Sequence, residues 1–145
     1  MLVHLQSHIE SYYSQLLNEH GFRQTNNRED GMGALIQFEN DDFGIRFIND
    51  RGIIDVDLFS LIDKEYLFHT ELLEYLVKVE DGLIADKWSE KMALTKVSSA
   101  EERVVFLQAS YRVISSMLSS QNFLRTKIDI EATGEKRSDV MFPKG

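Results

Sequence analysis

The run Ala34-Leu35-Ile36-Gln37-Phe38-Glu39-Asn40-Asp41-Asp42-Phe43-Gly44-Ile45-Arg46-Phe47-Ile48-Asn49-Asp50-Arg51-Gly52-Ile53-Ile54-Asp55-Val56-Asp57-Leu58-Phe59 decides the fold. Within it, apolar residues recur at every second position in three segments: Ala34, Ile36 and Phe38; Phe43, Ile45 and Phe47; Ile54, Val56 and Leu58. A period of two puts such residues on one face of an extended chain, so the run predicts three consecutive strands. Asn40-Asp41-Asp42 and Asn49-Asp50-Arg51-Gly52 separate them, short and rich in residues that tolerate turn dihedrals, which predicts an antiparallel meander. With Asp50 and Arg51 at the tip of the second turn, Phe47 faces Ile54, Arg46 faces Asp55 and Ile45 faces Val56. The inner face then holds Ile36, Phe38, Ile45, Phe47, Ile54, Val56 and Leu58, and requires a cover of helices.

Outward from the meander, the period changes. Leu2, Leu5, Ile9, Tyr12, Tyr13, Leu16 and Leu17 fall at three- and four-residue steps and end at Gly21, an amphipathic helix with a left-handed cap. Gln24 to Gly31 is polar and turn-rich and reads as a surface loop. After the strands, Thr70 is placed to cap a helix carrying Leu72, Leu73, Leu76 and Val77, with a stop at Asp81-Gly82. Ser98-x-x-Glu101 and Ser99-x-x-Glu102 are overlapping capping boxes ahead of a further helix running to about Ser120. From Phe123 to Phe142 the pattern is ambiguous, because Leu124, Thr126, Ile128 and Ile130 alternate as in a strand while Ile128, Glu131 and Lys136 also suit a helix. The expected architecture is a single α+β domain over residues 1–145: an N-terminal helix, a three-stranded antiparallel meander, then two or three helices packed on the sheet.

Composition narrows the function. The chain has 145 residues, no Cys, and a formal net charge of −8, which excludes disulfide frameworks, zinc knuckles and thiol nucleophiles. Eight acids against three bases lie between Glu39 and Glu65. A field of that sign opposes phosphate backbones and anionic membranes but draws in a basic protein. The N-terminus has no basic flank or unbroken apolar run, so the expectation is a cytoplasmic protein that binds neither nucleic acid nor membrane.

Candidate chemistry is sparse. His4 and His8 stand at i, i+4 spacing without the glutamate of a zincin pattern, and read as histidines on a helix surface. Asp55 and Asp57 share a strand face about 7 Å apart at ~3.3 Å per residue. Such a pair holds a divalent cation when a further carboxylate and a lysine converge on it, here Glu39 and Lys64, giving a phosphoryl-transfer enzyme or nuclease as the alternative function. Arg46, expected opposite Asp55, competes with that cation. No phosphate loop or nucleophile elbow is present, so no enzyme and no cofactor is expected. What remains is a surface. Ile48, Ile53 and Phe59 are expected beside Arg46, Asp55 and Asp57 on the outer sheet face, and Trp88, the one tryptophan, lies in a polar run as a candidate anchor. Two-sided burial of the sheet and a Trp88 folded onto the core are the plainer expectations. A homo-oligomeric regulatory subunit is a third function.

The strand–turn–strand text from Ile36 to Gly52 and the ending Lys136-Arg137-Ser138-Asp139-Val140-Met141-Phe142-Pro143 resemble small uncharacterised bacterial α+β proteins, some of them immunity proteins of toxin systems. That resemblance implies a cytoplasmic protein without cofactor that binds and neutralises a cognate toxin, and a helical tail. Combined with the charge, it points to a non-enzymatic protein-binding module facing a basic toxin through Glu39, Asp41, Asp42, Arg46, Asp55, Asp57 and Trp88.

Overall fold

The computed structural model describes residues 1–143. Its elements are α1 (Leu2–Glu19), β1 (Arg23–Glu29), β2 (Gly33–Glu39), β3 (Gly44–Asp50), β4 (Ile53–Ser60), β5 (Asp63–His69), α2 (Thr70–Glu80), α3 (Lys87–Leu94), α4 (Ala100–Ala109), α5 (Tyr111–Met117) and α6 (Phe123–Met141). The fold class is α+β, with a five-stranded antiparallel sheet in the order β1-β2-β3-β4-β5 where three strands were expected.

Two strands escaped the sequence pattern for different reasons. Every side chain of β1 is exposed, so the segment read as a surface loop carries no apolar alternation. Backbone pairing with β2 holds it, Gln24 opposite Phe38 and Asn27 opposite Ile36, across a bulge between Gln24 and Asn26. In β5 only Tyr66 and Phe68 turn inward, where they meet Phe123 edge-on at ring distances of 6.2 and 5.9 Å. Two apolar positions are too few to declare a strand.

The β3–β4 register differs from the expected one by two residues. Phe47 lies opposite Val56, Arg46 opposite Asp57 and Ile48 opposite Asp55. The cause is the turn, whose tip is Arg51-Gly52, both left-handed at φ 55° and 94°, the two-residue geometry that matches the twist of paired strands. The Gly52 amide donates to Asn49 Oδ1 at 2.8 Å and closes it. Because side chains alternate with period two, a two-residue slip leaves the faces unchanged. Ile36, Ile45, Phe47, Val56 and Leu58 are accordingly buried on the inner face, with Phe38 and Ile54 partly so.

Helices cover that face. Leu5, Ile9, Tyr13, Leu16 and Leu17 of α1 are buried against it, and Gly21 at φ 67° ends the helix as its position suggested. The cap of α2 is His69, one residue before the expected Thr70. Its Nδ1 accepts from the Glu71 amide at 3.3 Å, while the Thr70 hydroxyl donates to the Val56 carbonyl. Ser99 and Glu102 form the capping box of α4, but the helix expected to reach Ser120 breaks at Ser110 into α4 and α5. The tail is the helix α6, with Phe123, Thr126, Ile130 and Thr133 inward at helical steps. The strand-like alternation was incidental, since Leu124 and Ile128 are 70% and 67% exposed. With α3 also unforeseen, five helices follow the sheet among the described residues. None is long and apolar enough to cross a membrane.

Candidate functional site

The buried side chains of α1, α2, α4, α5 and α6 form one cluster with the inner sheet face. The outer-face side chains stand outside that cluster, so the expected cover of both faces by helices is not found. They come from alternate positions of each strand and divide into two zones that the register defines.

The first zone is closed on itself. Gly44 stands opposite Phe59, and the Phe59 ring lies so close over it that a Cβ there would sit 1.9 Å from a ring atom. Arg46 caps the ring, its guanidinium carbon 5.6 Å from the centroid. The same guanidinium donates through Nε and Nη2 to Gln37 Oε1 at 3.1 and 2.9 Å, and through Nη2 to the Lys64 carbonyl at 3.3 Å. Lys64 Nζ reaches Glu39 Oε1 at 2.8 Å. Since β3 and β4 lie between β2 and β5, that contact requires the sheet to curl over Phe59. Burial works against the Glu39 carboxylate, but hydrogen bonds from Lys64, Gln37 and Thr25 outweigh it and hold its pKa below the usual range. Phe59, expected on the exposed face, is therefore fully buried. Glu39 and Arg46 are both engaged in this closure.

The second zone stays open. Leu35, Ile48 and Asp55 form one cross-strand row and Gly33, Asp50 and Ile53 the next. Ile53 is 69% exposed, Asp55 is exposed, and Leu35, Ile48 and Asp57 are half-buried. Neither Asp55 nor Asp57 has a cation within 4.0 Å among the described residues. Burial pushes the Asp57 carboxyl up; the His69 ring across the strand pair works against this, Asp55 adds to it, and Arg46 and Arg103 oppose it. Arg46 lies opposite Asp57 rather than the expected Asp55, and gives its hydrogen bonds to Gln37 and Lys64 instead.

The remaining expected site residues lie elsewhere. Asp41 is exposed in the β2–β3 turn, whereas Asp42 accepts from the Tyr111 hydroxyl at 2.6 Å. Trp88 is 70% exposed but belongs to α3, which packs on α2 and α6 in the helical layer. The seven residues thus fall into a closed zone, an open zone, a turn and a distant helix. Leu35 and Asp50 join the open zone unannounced, because only the strand register makes them neighbours of Ile48 and Ile53.

For metal chemistry the arrangement offers two carboxylates. Glu39 and Lys64 are engaged with each other, and among the described residues no group of three potential His, Asp or Glu ligands comes together. His4 and His8 do not pair either. His8 is half-buried against the rings of Tyr12 and Tyr13 at 4.9 and 6.0 Å, and His4 is exposed.

Fold and site together define an α+β protein whose meander is roofed by helices on one face and presents an apolar strip rimmed by acids on the other. Comparison with family models, curated proteins and solved structures returns no match.

Proposed function

We propose that this protein is a non-enzymatic binding module that takes a basic protein partner on its open sheet zone, in the manner of an immunity protein neutralising a basic toxin. The observation that carries the reading is the strip Leu35, Ile48 and Ile53 beside Asp50, Asp55 and Asp57, the last two without cations of their own. Apolar side chains supply area to bury, and unpaired carboxylates raise the encounter rate of a cationic surface and reject an anionic one. Asp41, in the β2–β3 turn at the other end of the strands, is separated from this zone by the closed one. Glu39, Arg46 and Asp42 act as scaffold in this reading, and Trp88 lies outside it.

The test uses capture of partners from an extract of the source cells by wild-type protein and by the Asp55→Asn/Asp57→Asn and Ile53→Ser variants, followed by kinetics with the isolated partner. A basic protein is expected, associating roughly tenfold or more slowly with the double Asn variant and as salt rises. An association rate indifferent to both substitutions and salt overturns the reading.

A further inference from the structure

Between α2, α5 and α6 lies a cleft of about 770 Å³. Leu76, Val113 and Met117 give it apolar walls, and Arg112, Arg125 and Lys136 line it from α5 and α6. None of these three cations has a carboxylate within 4.0 Å among the described residues, although Glu80 and Asp129 line the same cleft. In a chain of net charge −8, the cleft is lined by three cations against two acids, a local balance opposite in sign to that of the whole chain. The volume lies within the range of small-molecule sites, roughly 300–1,000 Å³.

We propose that this cleft binds a small organic anion, its apolar body against Leu76, Val113 and Met117 and its charged head on the arginines, Arg112 and Arg125, with Lys136 further along the cleft. A planar guanidinium gives paired N–H donors to a carboxylate, sulfonate or phosphate, and the lysine adds a point charge. The site is separate from the sheet zone, since it lies in the helical layer.

The test titrates the full chain with 1-anilinonaphthalene-8-sulfonate, and with N-phenyl-1-naphthylamine, which keeps the rings and lacks the sulfonate. Fluorescence measures affinity and amide chemical shifts locate the bound probe. Saturable binding of the anion is expected, with shifts on α5 and α6, weak binding of the neutral compound, and roughly tenfold loss in Arg112→Gln/Arg125→Gln. Both arginines are exposed, so the variant keeps the fold, which circular dichroism checks. Equal affinity for the two probes, equal affinity of the two proteins, or shifts elsewhere overturns the proposal.

Discussion

The Tyr111 hydroxyl donates to Asp42 Oδ2 at 2.6 Å and, through the same oxygen, accepts from Asn40 Nδ2 at 2.6 Å. The His20 ring stacks on the phenol at 3.7 Å and 8°, and Asn40 Nδ2 also donates to the His20 carbonyl at 2.8 Å. One side chain at the start of α5 thus ties the end of α1 to the β2–β3 turn. Tyr111→Phe is expected to lower stability by about 1–2 kcal/mol, the cost of unmaking a charge-assisted bond. Burial first, then Asp42, pushes the Tyr111 hydroxyl up to about 12, against ~10 in the unfolded chain. Between those values the unfolded chain has lost a proton the native state keeps, so stability falls as pH rises. Urea unfolding of both proteins should show the wild-type advantage intact at about pH 8 and shrinking at about pH 11.

Gly44 has no room for a side chain. A Cβ would overlap the Phe59 ring at 1.9 to 2.4 Å, so Gly44→Ala is expected to cost at least about 2–3 kcal/mol by displacing a packed aromatic. Phe59→Ala alone leaves a cavity worth about 3–5 kcal/mol. The double variant should be more stable than the sum of the two predicts, and additivity in thermal unfolding would contradict the close packing.

Arg103 and Glu71 form an ion pair at 3.4 Å, with both side chains almost wholly buried. Arg103→Met strands the Glu71 carboxylate and should cost about 3 kcal/mol, largely recovered by adding Glu71→Gln. Burial first and Arg103 second hold the His8 pKa below its ordinary 6.5. Stability linked to His8 is therefore full above that value and lost as pH falls toward the native one. A histidine NMR titration should show the His8 pKa rising in Arg103→Met.

Asp57 is held against its own burial. With its native pKa raised, its favourable contribution exists only below the unfolded value near 3.8 and is lost as pH rises through the native one. Asp57→Asn should therefore be more stable than wild type at neutral pH while associating more slowly with a basic partner. Destabilisation by this substitution at pH ~7 would make the carboxylate structural.

Trp88 stands 70% exposed on α3. Its fluorescence should resemble that of a solvated indole and be quenched readily by acrylamide. Trp88→Ala should shift stability by no more than about 0.5 kcal/mol, and a larger loss would place the ring on the core.

The middle of the fold was legible because burial imposes a period. Ile36, Ile45, Phe47, Val56 and Leu58 each face the helices, and α1 buries Leu5, Ile9, Tyr13, Leu16 and Leu17 of the residues its spacing selected, with Leu2 half-buried and Tyr12 exposed. β1 was not, because its exposed polar side chains carry no apolar alternation and the backbone pairing that places it is indifferent to residue type. The break at Ser110 was hidden for a related reason. The apolar spacing runs on through it, while the side chain that needs the turn, Tyr111, finds its partners about 70 residues away in Asn40 and Asp42.

The candidate site divides in the same way. Its residue types and net sign were present in the sequence, since Ile48 and Asp50 share one face of β3, and Ile53, Asp55 and Asp57 one face of β4, by the strand period alone. Which of them remain free was not. Curling of the sheet brings Lys64 onto Glu39 and lays Arg46 over Phe59, and the turn dihedrals at Arg51 and Gly52 set Ile48 beside Asp55. Local periodicity determined the faces of the elements, because it depends on neighbours along the chain. Tertiary structure decided the pairing of charges, because a carboxylate is claimed by whichever cation folding carries to it.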